Sequence, residues 1–351
     1  MIVTELVQSD RPLWDAFVRQ SSNGLPQHLA GWQDVLSRTY GYDTCYLAAW
    51  RTANGSGRSL AGVMPLFVVQ SPLLGRTLTT MPGGLCAEDE TAATALIEEG
   101  REIAQRLRAK RFVLHDTRQA WPGDLETSCD HENWLVDVRM GQEATWQRLD
   151  RNIRRQVRIA ERNGLTAEVD RSGARLGDFY QVLSRFTHQA GTPVFGRNFL
   201  ENVIMAFPGG FNIILVYHAG RPIGGYFQLE LGKRNVGVWG AALHETLELR
   251  PVYLGYWTIL VDTIAQGFEW LDMGRSPAGS NASKYKGQWA TSSVPVYQQT
   301  VSLGHAHQNG SVTRQVKNDA RFSQVRRLWP RLPFGVAQFL GPHLRRHVPF
   351  A

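Results

Sequence analysis

The chain has 351 residues, 43% hydrophobic, 20% charged and 10% aromatic, enough apolar content to offset the entropy of backbone ordering, so general disorder is excluded. Its three cysteines, Cys45, Cys86 and Cys129, are odd in number and widely spaced, which argues against a disulfide framework or a cysteine metal site and points to a reducing compartment. The formal charge of +7 is local: residues 311–351 hold eight Lys and Arg against one Asp, which equals the whole excess and leaves residues 1–310 balanced.

Residues 1–17 carry acids and a tryptophan but no basic segment followed by an apolar one, so no signal peptide is expected. No window reaches the roughly eighteen apolar residues of a membrane span. Residues 43–50 and 59–70 are apolar, strand-like runs around an Asn-Gly turn at 53–57, and a third run follows at 77–81. A helix is predicted over 91–110, with Ala93, Leu96, Ile97, Ile103, Ala104 and Leu107 on its buried side, and a strand over 111–116. Residues 143–165 read as one helix, because Trp146, Leu149, Ile153, Val157 and Ala160 recur at three and four and Asn163-Gly164 supplies a stop. Its other stripe is Arg151, Arg155, Arg158 and Arg162, with Arg148 and Arg154 alongside. This stripe is either a solvated cationic face or a wall for phosphates, which the planar arginine fork matches in two-point contacts.

Strands are predicted at 211–218, 222–231 and 235–242, a helix at 253–266 ending at Gly267, and a strand at 268–273. This repeats the order hairpin, strand, helix, strand of the first half. Both exits from helix to strand end in Asp, at Asp116 and Asp272, so two copies of one unit is the economical reading. In the tail, the arginines mix with Trp329, Leu332, Phe334, Val336, Phe339, Leu340 and Leu344, and four prolines cut the segment. It is either a terminal helix packed on the body or a basic, apolar segment for an anionic membrane surface.

Walker loops, nucleophile elbows, zinc-binding helices and dinucleotide fingerprints are absent from the sequence, and the histidines are dispersed, His305 and His307 falling in a polar loop. One dense stretch remains. It runs Asp272-Met-Gly-Arg275-Ser276, a loop at Gly279-Ser-Asn281, then Lys284-Tyr285-Lys286 and Trp289-Ala290. This stretch resembles the closing signature of FemAB-like acyltransferases, in particular the FemAB-related proteins associated with exosortase or exopolysaccharide systems. Gly31-Trp-Gln-Asp-Val-Leu36, Tyr40-Gly-Tyr42, Gly62-Val-Met-Pro-Leu66, Asn152-Ile-Arg-Arg155, Gly191-Thr-Pro-Val194 and Leu328-Trp-Pro-Arg-Leu-Pro333 extend the resemblance over nearly the whole chain.

The resemblance implies an α/β (α+β) architecture of two tandem GNAT-like domains, each a mixed, mostly antiparallel sheet flanked by helices, here over 1–142 and 143–310, with 311–351 as a basic amphipathic tail. It implies acyl or aminoacyl transfer onto an envelope glycoconjugate, a peptidoglycan precursor or a lipid-linked precursor, with aminoacyl-tRNA or acyl-CoA as co-substrate and no tightly bound cofactor or metal. The family's Phe-Lys pair corresponds to Tyr285-Lys286, which makes Lys286 the cation that stabilises the developing oxyanion. Asp272 is a candidate general base and Arg275 an anion clamp, or the two are a structural ion pair. Arg154, Arg155, Arg158, Ser276, Tyr285 and Trp289 are candidate substrate contacts, and Arg250 and Tyr253 candidate donor contacts. The turn 249–255 has Arg250 but lacks the spaced glycines of a CoA pyrophosphate loop. The expected location is the cytoplasm, with the tail at the inner membrane. Two alternatives stay open: a CoA-dependent N-acetyltransferase acting on an amino sugar, and a non-catalytic RNA-binding or scaffold protein.

Overall fold

The computed structural model describes residues 1–52, 57–72, 75–303, 324 and 326–347. Residues 53–56 of the predicted first turn, His305, His307 and residues 311–323 of the tail lie outside the described residues. The chain divides into two compact units, one of Met1–Asp130, Pro295–Ser323 and His343–Ala351, the other of His131–Val294 and Gln324–Pro342.

In the first unit the sheet runs β1 (Ile2–Glu5), β2 (Thr44–Thr52), β3 (Arg58–Ser71), β4 (Gly75–Thr80), β6 (Arg111–Thr117) and β13 (Ser292–Ser302), with β5 (Cys86–Ala87) beside β3. All neighbours are antiparallel except β4 and β6, whose parallel pairing requires the crossover helix α3 (Glu90–Arg106). Asp89 caps α3 by accepting from the backbone N–H of Ala92 at 2.9 Å. The predicted apolar face of α3 is buried, with Leu96 and Ile97 against Leu47, Met64 and Phe112. Helices α1 (Arg11–Gln20) and α2 (Gly31–Tyr40) complete this unit.

The second unit repeats the pattern. Its sheet runs β7 (Glu126–Asp137), β12 (Trp270–Pro277), β11 (Arg234–Ala242), β10 (Arg221–Leu231), β9 (Phe211–His218) and β8 (Leu165–Asp170). The crossover helix α8 (Pro251–Ala265) joins β11 to the parallel β12. The mixed, mostly antiparallel sheets and the duplicated unit are as the sequence implied. The cuts between units differ from the expected 142 and 310. Residues 131–137 pair with β12 in the second unit, whereas residues 295–302, which lie between that unit's two segments in sequence, close the sheet of the first against β6.

The single helix predicted over 143–165 is two helices, α4 (Gly141–Arg148) and α5 (Arg151–Arg162). Leu149 is extended, and the Asp150 carboxylate accepts from Asn152 N at 2.6 Å, an N-cap placed inside an unbroken apolar period. Leu165, expected as the helix end, begins β8. Helices α6 (Leu176–Gln189) and α7 (Arg197–Ala206) cover the sheet, α6 packing on β10 and β11.

The two Asp exits are not equivalent. On β12 the pairing with β7 skips a residue between Asp272 and Arg275, and on β6 the pairing with β13 skips one between Leu114 and Thr117. Aligning these bulges sets Asp272 against Leu114, and Gly274, at φ +73°, against Asp116, at φ +54°. The repeat is therefore real but its aspartates are out of step by two residues.

The second core gathers Ile153 and Val157 of α5, Leu254 and Leu260 of α8, Leu271 and Tyr226. The Tyr226 ring fills the space over two glycines: a Cβ at Gly255 would lie 2.3 Å from its Cε2, and one at Gly240 2.8 Å from its Cδ1. Gly255 is in the middle of α8, where alanine ordinarily stabilises by about 1 kcal/mol. Here the clash reverses that sign. Gly255→Ala is expected to destabilise by about 1–3 kcal/mol, read as a lower denaturant midpoint at an unchanged slope.

Candidate active site

Strands β11 and β12 pair only over Arg234–Val236 and Trp270–Asp272. Beyond that point β11 follows β10 and β12 follows β7, each past a bulge, so the two strands part and leave a fork. Gly274 sits at the fork. It adopts φ +73°, and a Cβ there would lie 2.6 Å from the Gly237 carbonyl oxygen, so only glycine fits.

A short helix, α9 (Asn281–Gly287), delivers Lys286 to this point. Ser280 caps it by accepting from Ser283 N at 3.1 Å. The Ser283 hydroxyl accepts from Trp134 Nε1 at 2.9 Å and donates to Glu132, tying α9 to β7. The Arg148 guanidinium donates to the carbonyls of Trp289 at 2.6 Å and Ala290 at 3.1 Å, fixing the chain just after α9. A helix of this length does not hold itself in water, so these ties set where its lysine points.

The Lys286 ammonium donates to the carbonyl oxygens of Gly274 and Arg275, both at 3.0 Å. Three N–H bonds are available on an ammonium, so one is left for a ligand. The side chain is partly exposed. Burial and the charge of Arg275 lower its pKa to about 8, and the Asp272 carboxylate acts in the opposite sense. At neutral pH the cation therefore predominates, about ten to one.

Asp272 is wholly buried. Its Oδ1 accepts from Asn133 Nδ2 at 2.6 Å and from the Gly274 backbone N–H at 2.9 Å, so the carboxylate holds the bulge that presents the two carbonyls to Lys286. Asn133, also buried, is a site residue that the sequence reading missed. It lies in no motif, and its strand falls in the stretch assigned to the first domain. Ser276 is buried on β12, and Arg275, opposite Asn133 in register, is partly exposed.

An aromatic wall stands beside the fork. Tyr285 lies 5.3 Å from Tyr253 and 5.7 Å from Tyr256, and Tyr256 lies 5.7 Å from Trp289 and 5.4 Å from Tyr226, between ring centroids. Trp289 is wholly buried in the core, whereas Tyr253 and Tyr285 are partly exposed. Burial keeps the Tyr285 hydroxyl protonated far above neutral pH.

The candidate arginines Arg154, Arg155 and Arg158 sit on α5. Arg155 and Arg158 are exposed, Arg158 lying 5.7 Å over the Trp146 ring, and half-buried Arg154 donates to Gln147 Oε1 at 3.1 Å. Trp146 in turn packs on Trp257 of α8 at 4.5 Å. Arg250 caps the start of α8 in a left-handed conformation, with Nε donating to Gln156 Oε1 of α5 at 2.8 Å and Nη1 to Leu247 O at 3.1 Å. Helix α5 thus lies beside the N-terminus of α8, joined to it through Gln156.

Residues 147–287 match the Acetyltransferase (GNAT) domain family. Comparison with curated protein sequences gives no match. Among solved structures, the chain resembles FemX at 16% identity and TM-score 0.65, covering 85% of this chain and 97% of that one. It also resembles the DUF2156 C-terminal domain assigned to a lysylphosphatidylglycerol synthetase of Agrobacterium fabrum, at 14% identity and TM-score 0.55 over 89% and 96% of the two chains. A tandem GNAT protein from the clavulanic acid biosynthesis pathway is similar at 9% identity and TM-score 0.55, over 87% and 99%. Residues 147–287 thus match a GNAT acetyltransferase domain, and the chain as a whole shares the fold of these structures, a tandem GNAT protein among them.

Proposed function

We propose that the protein transfers an aminoacyl or other acyl group from an activated ester or thioester to an amine, or a hydroxyl, of an envelope glycoconjugate or its lipid-linked precursor, at the cytoplasmic side of the membrane. The observation that carries this reading is the Lys286 ammonium, fixed by two backbone carbonyls at the strand fork with one N–H unspent. The acceptor amine attacks the donor carbonyl carbon, and the carbonyl oxygen becomes an oxyanion, to which Lys286 donates. The C–O or C–S bond to the leaving group then breaks, and the proton lost by the amine passes to the leaving group. Asp272, bonded to Asn133 and Gly274, serves to hold the bulge and to favour the charged lysine rather than to accept the amine's proton.

The start of α8 favours aminoacyl-tRNA over acyl-CoA as the donor. Pro251 has no N–H, Tyr253 N donates to Arg250 O at 3.2 Å, and the Arg250 fork is held by Gln156 and Leu247, so few free donors face a pyrophosphate. Arg155 and Arg158 are exposed on α5, the helix whose Gln156 holds Arg250, and would suit a longer phosphate backbone. Tyr253 and Tyr285 then offer partly exposed rings to the terminal base. An envelope acceptor agrees with the fold shared with FemX, with the DUF2156 domain assigned to a lysylphosphatidylglycerol synthetase of Agrobacterium fabrum and with L-PGS from Bacillus licheniformis.

Three measurements test this reading. Lys286→Ala is expected to cut kcat by about 10²–10³ while thermal melting stays near that of the parent; turnover within a few-fold of the parent removes the lysine from the mechanism. Because the cation is the working form, kcat/KM should fall as pH rises through about 8, and Asp272→Asn should move that limb to lower pH by removing the charge that favours the ammonium. In a thermal-shift comparison, charged tRNA should raise the melting temperature more than acetyl-CoA; the reverse ranking identifies the CoA-dependent N-acetyltransferase alternative, and tRNA binding without any amide product identifies the RNA-binding one.

A further inference from the structure

Helix α10 (Phe334–Arg345) has two apolar faces but only one of them is covered. Helical spacing sets Ala337 and Gly341 on one side, where both are buried, and a Cβ at Gly341 would lie 2.8 Å from the Val194 carbonyl oxygen. The same side is pinned by the Phe334 ring, 5.6 Å from His188, and by the Leu332 carbonyl, which lies 3.0 Å from His188 Nε2. Trp329, just upstream, is buried. The helix is therefore seated on α6 and not loosely attached. On the opposite side Val336, Phe339 and Leu340 are 44%, 71% and 37% exposed. Of the helix's polar residues Gln338, His343 and Arg345, spacing sets only the exposed His343 on this outer side, so most of what the side shows to solvent is apolar, a face that is ordinarily covered.

Charge identifies what covers this one. Between Ser323 and the C-terminus the sequence contains no Asp or Glu, and Arg326, Arg327 and Arg331 immediately before the helix are all exposed. Cations without neighbouring acids call for an anionic partner, and three large apolar side chains at the solvent face call for hydrocarbon. Acidic phospholipid supplies both at a single surface.

We propose that the outer face of α10 docks on an anionic phospholipid bilayer, with Val336, Phe339 and Leu340 entering the boundary between headgroups and acyl chains and Arg326, Arg327 and Arg331 meeting lipid phosphates. The helix lies in the plane of the surface and does not cross it. The proposal deepens the reading of a lipid-linked acceptor, on which its purpose rests, by naming the surface that would bring the enzyme to such a substrate.

The test is co-sedimentation of the full-length protein with vesicles of phosphatidylcholine alone and of phosphatidylcholine mixed with phosphatidylglycerol. Binding is expected only to the mixed vesicles and should weaken as salt rises. The triple substitution Val336→Ser, Phe339→Ser, Leu340→Ser should reduce binding about tenfold or more at an unchanged melting temperature, and Arg326→Gln, Arg327→Gln, Arg331→Gln should do the same. No binding by the parent protein, or equal binding by the serine variant, overturns the proposal. So does a parent dimer that the serine variant converts to monomer without any difference on vesicles, because the face is then an interface between copies. Lys286→Ala keeps vesicle binding if the surface is right, whatever becomes of turnover, so failure of the docking surface and failure of the acyl-transfer reading are separately visible.

Discussion

The second unit is organised around one ammonium group and the two carbonyls that hold it. Lys286 reaches Gly274 and Arg275 only because β12 bulges there, and the bulge exists because Gly274 takes a left-handed conformation against Gly237 while Asp272 holds its N–H. A peptide carbonyl along a regular strand is spent on its neighbour. The fork between β11 and β12 frees these two oxygens, and the lysine satisfies them. In the proposed reaction the same side chain would polarise the acyl group, so one residue would serve the structural need and the chemical one.

That arrangement also explains the polar residues around it. A cation taken partly out of water costs free energy unless countercharge and acceptors are near, and Asp272 with the two carbonyls supplies them. Asn133 in turn satisfies the buried carboxylate. The Glu132, Ser283 and Trp134 contacts and the Arg148 fork keep α9 in register with this set. The ties come from two elements, β7 and α4, and the carbonyls from a third, β12, so the position of the lysine is over-determined.

Much of the fold was legible because periodicity is a local signal: the hairpins, α3 and α8 each announce themselves within a dozen residues. The break at Asp150 was hidden because the apolar spacing from Trp146 to Ile153 continues through it, and only the capping chemistry of Asp150 marks the new start. Strand β13 was invisible as a partner of β6, since Thr300 and Val113 meet across most of the sequence. In the candidate site, residues 272–289 do gather around one lysine, but residue type could not tell that Trp289 is core, that Asp272 is sealed under Asn133, or that α5 is tied to the start of α8 through Gln156 and Arg250. The paired aspartates misled for a related reason: a bulge shifts register without leaving a mark in composition.

The exchange of strands has a consequence for how the molecule is made. The sheet of the first unit lacks its closing strand until residues 295–302 have been synthesised, so β6 has an unpaired edge throughout translation of residues 131–294. Neither a fragment ending near residue 142 nor one beginning there carries every strand of its sheet. The nascent amino-terminal half must wait, with that edge open to wrong partners, for its own last strand to emerge from the ribosome.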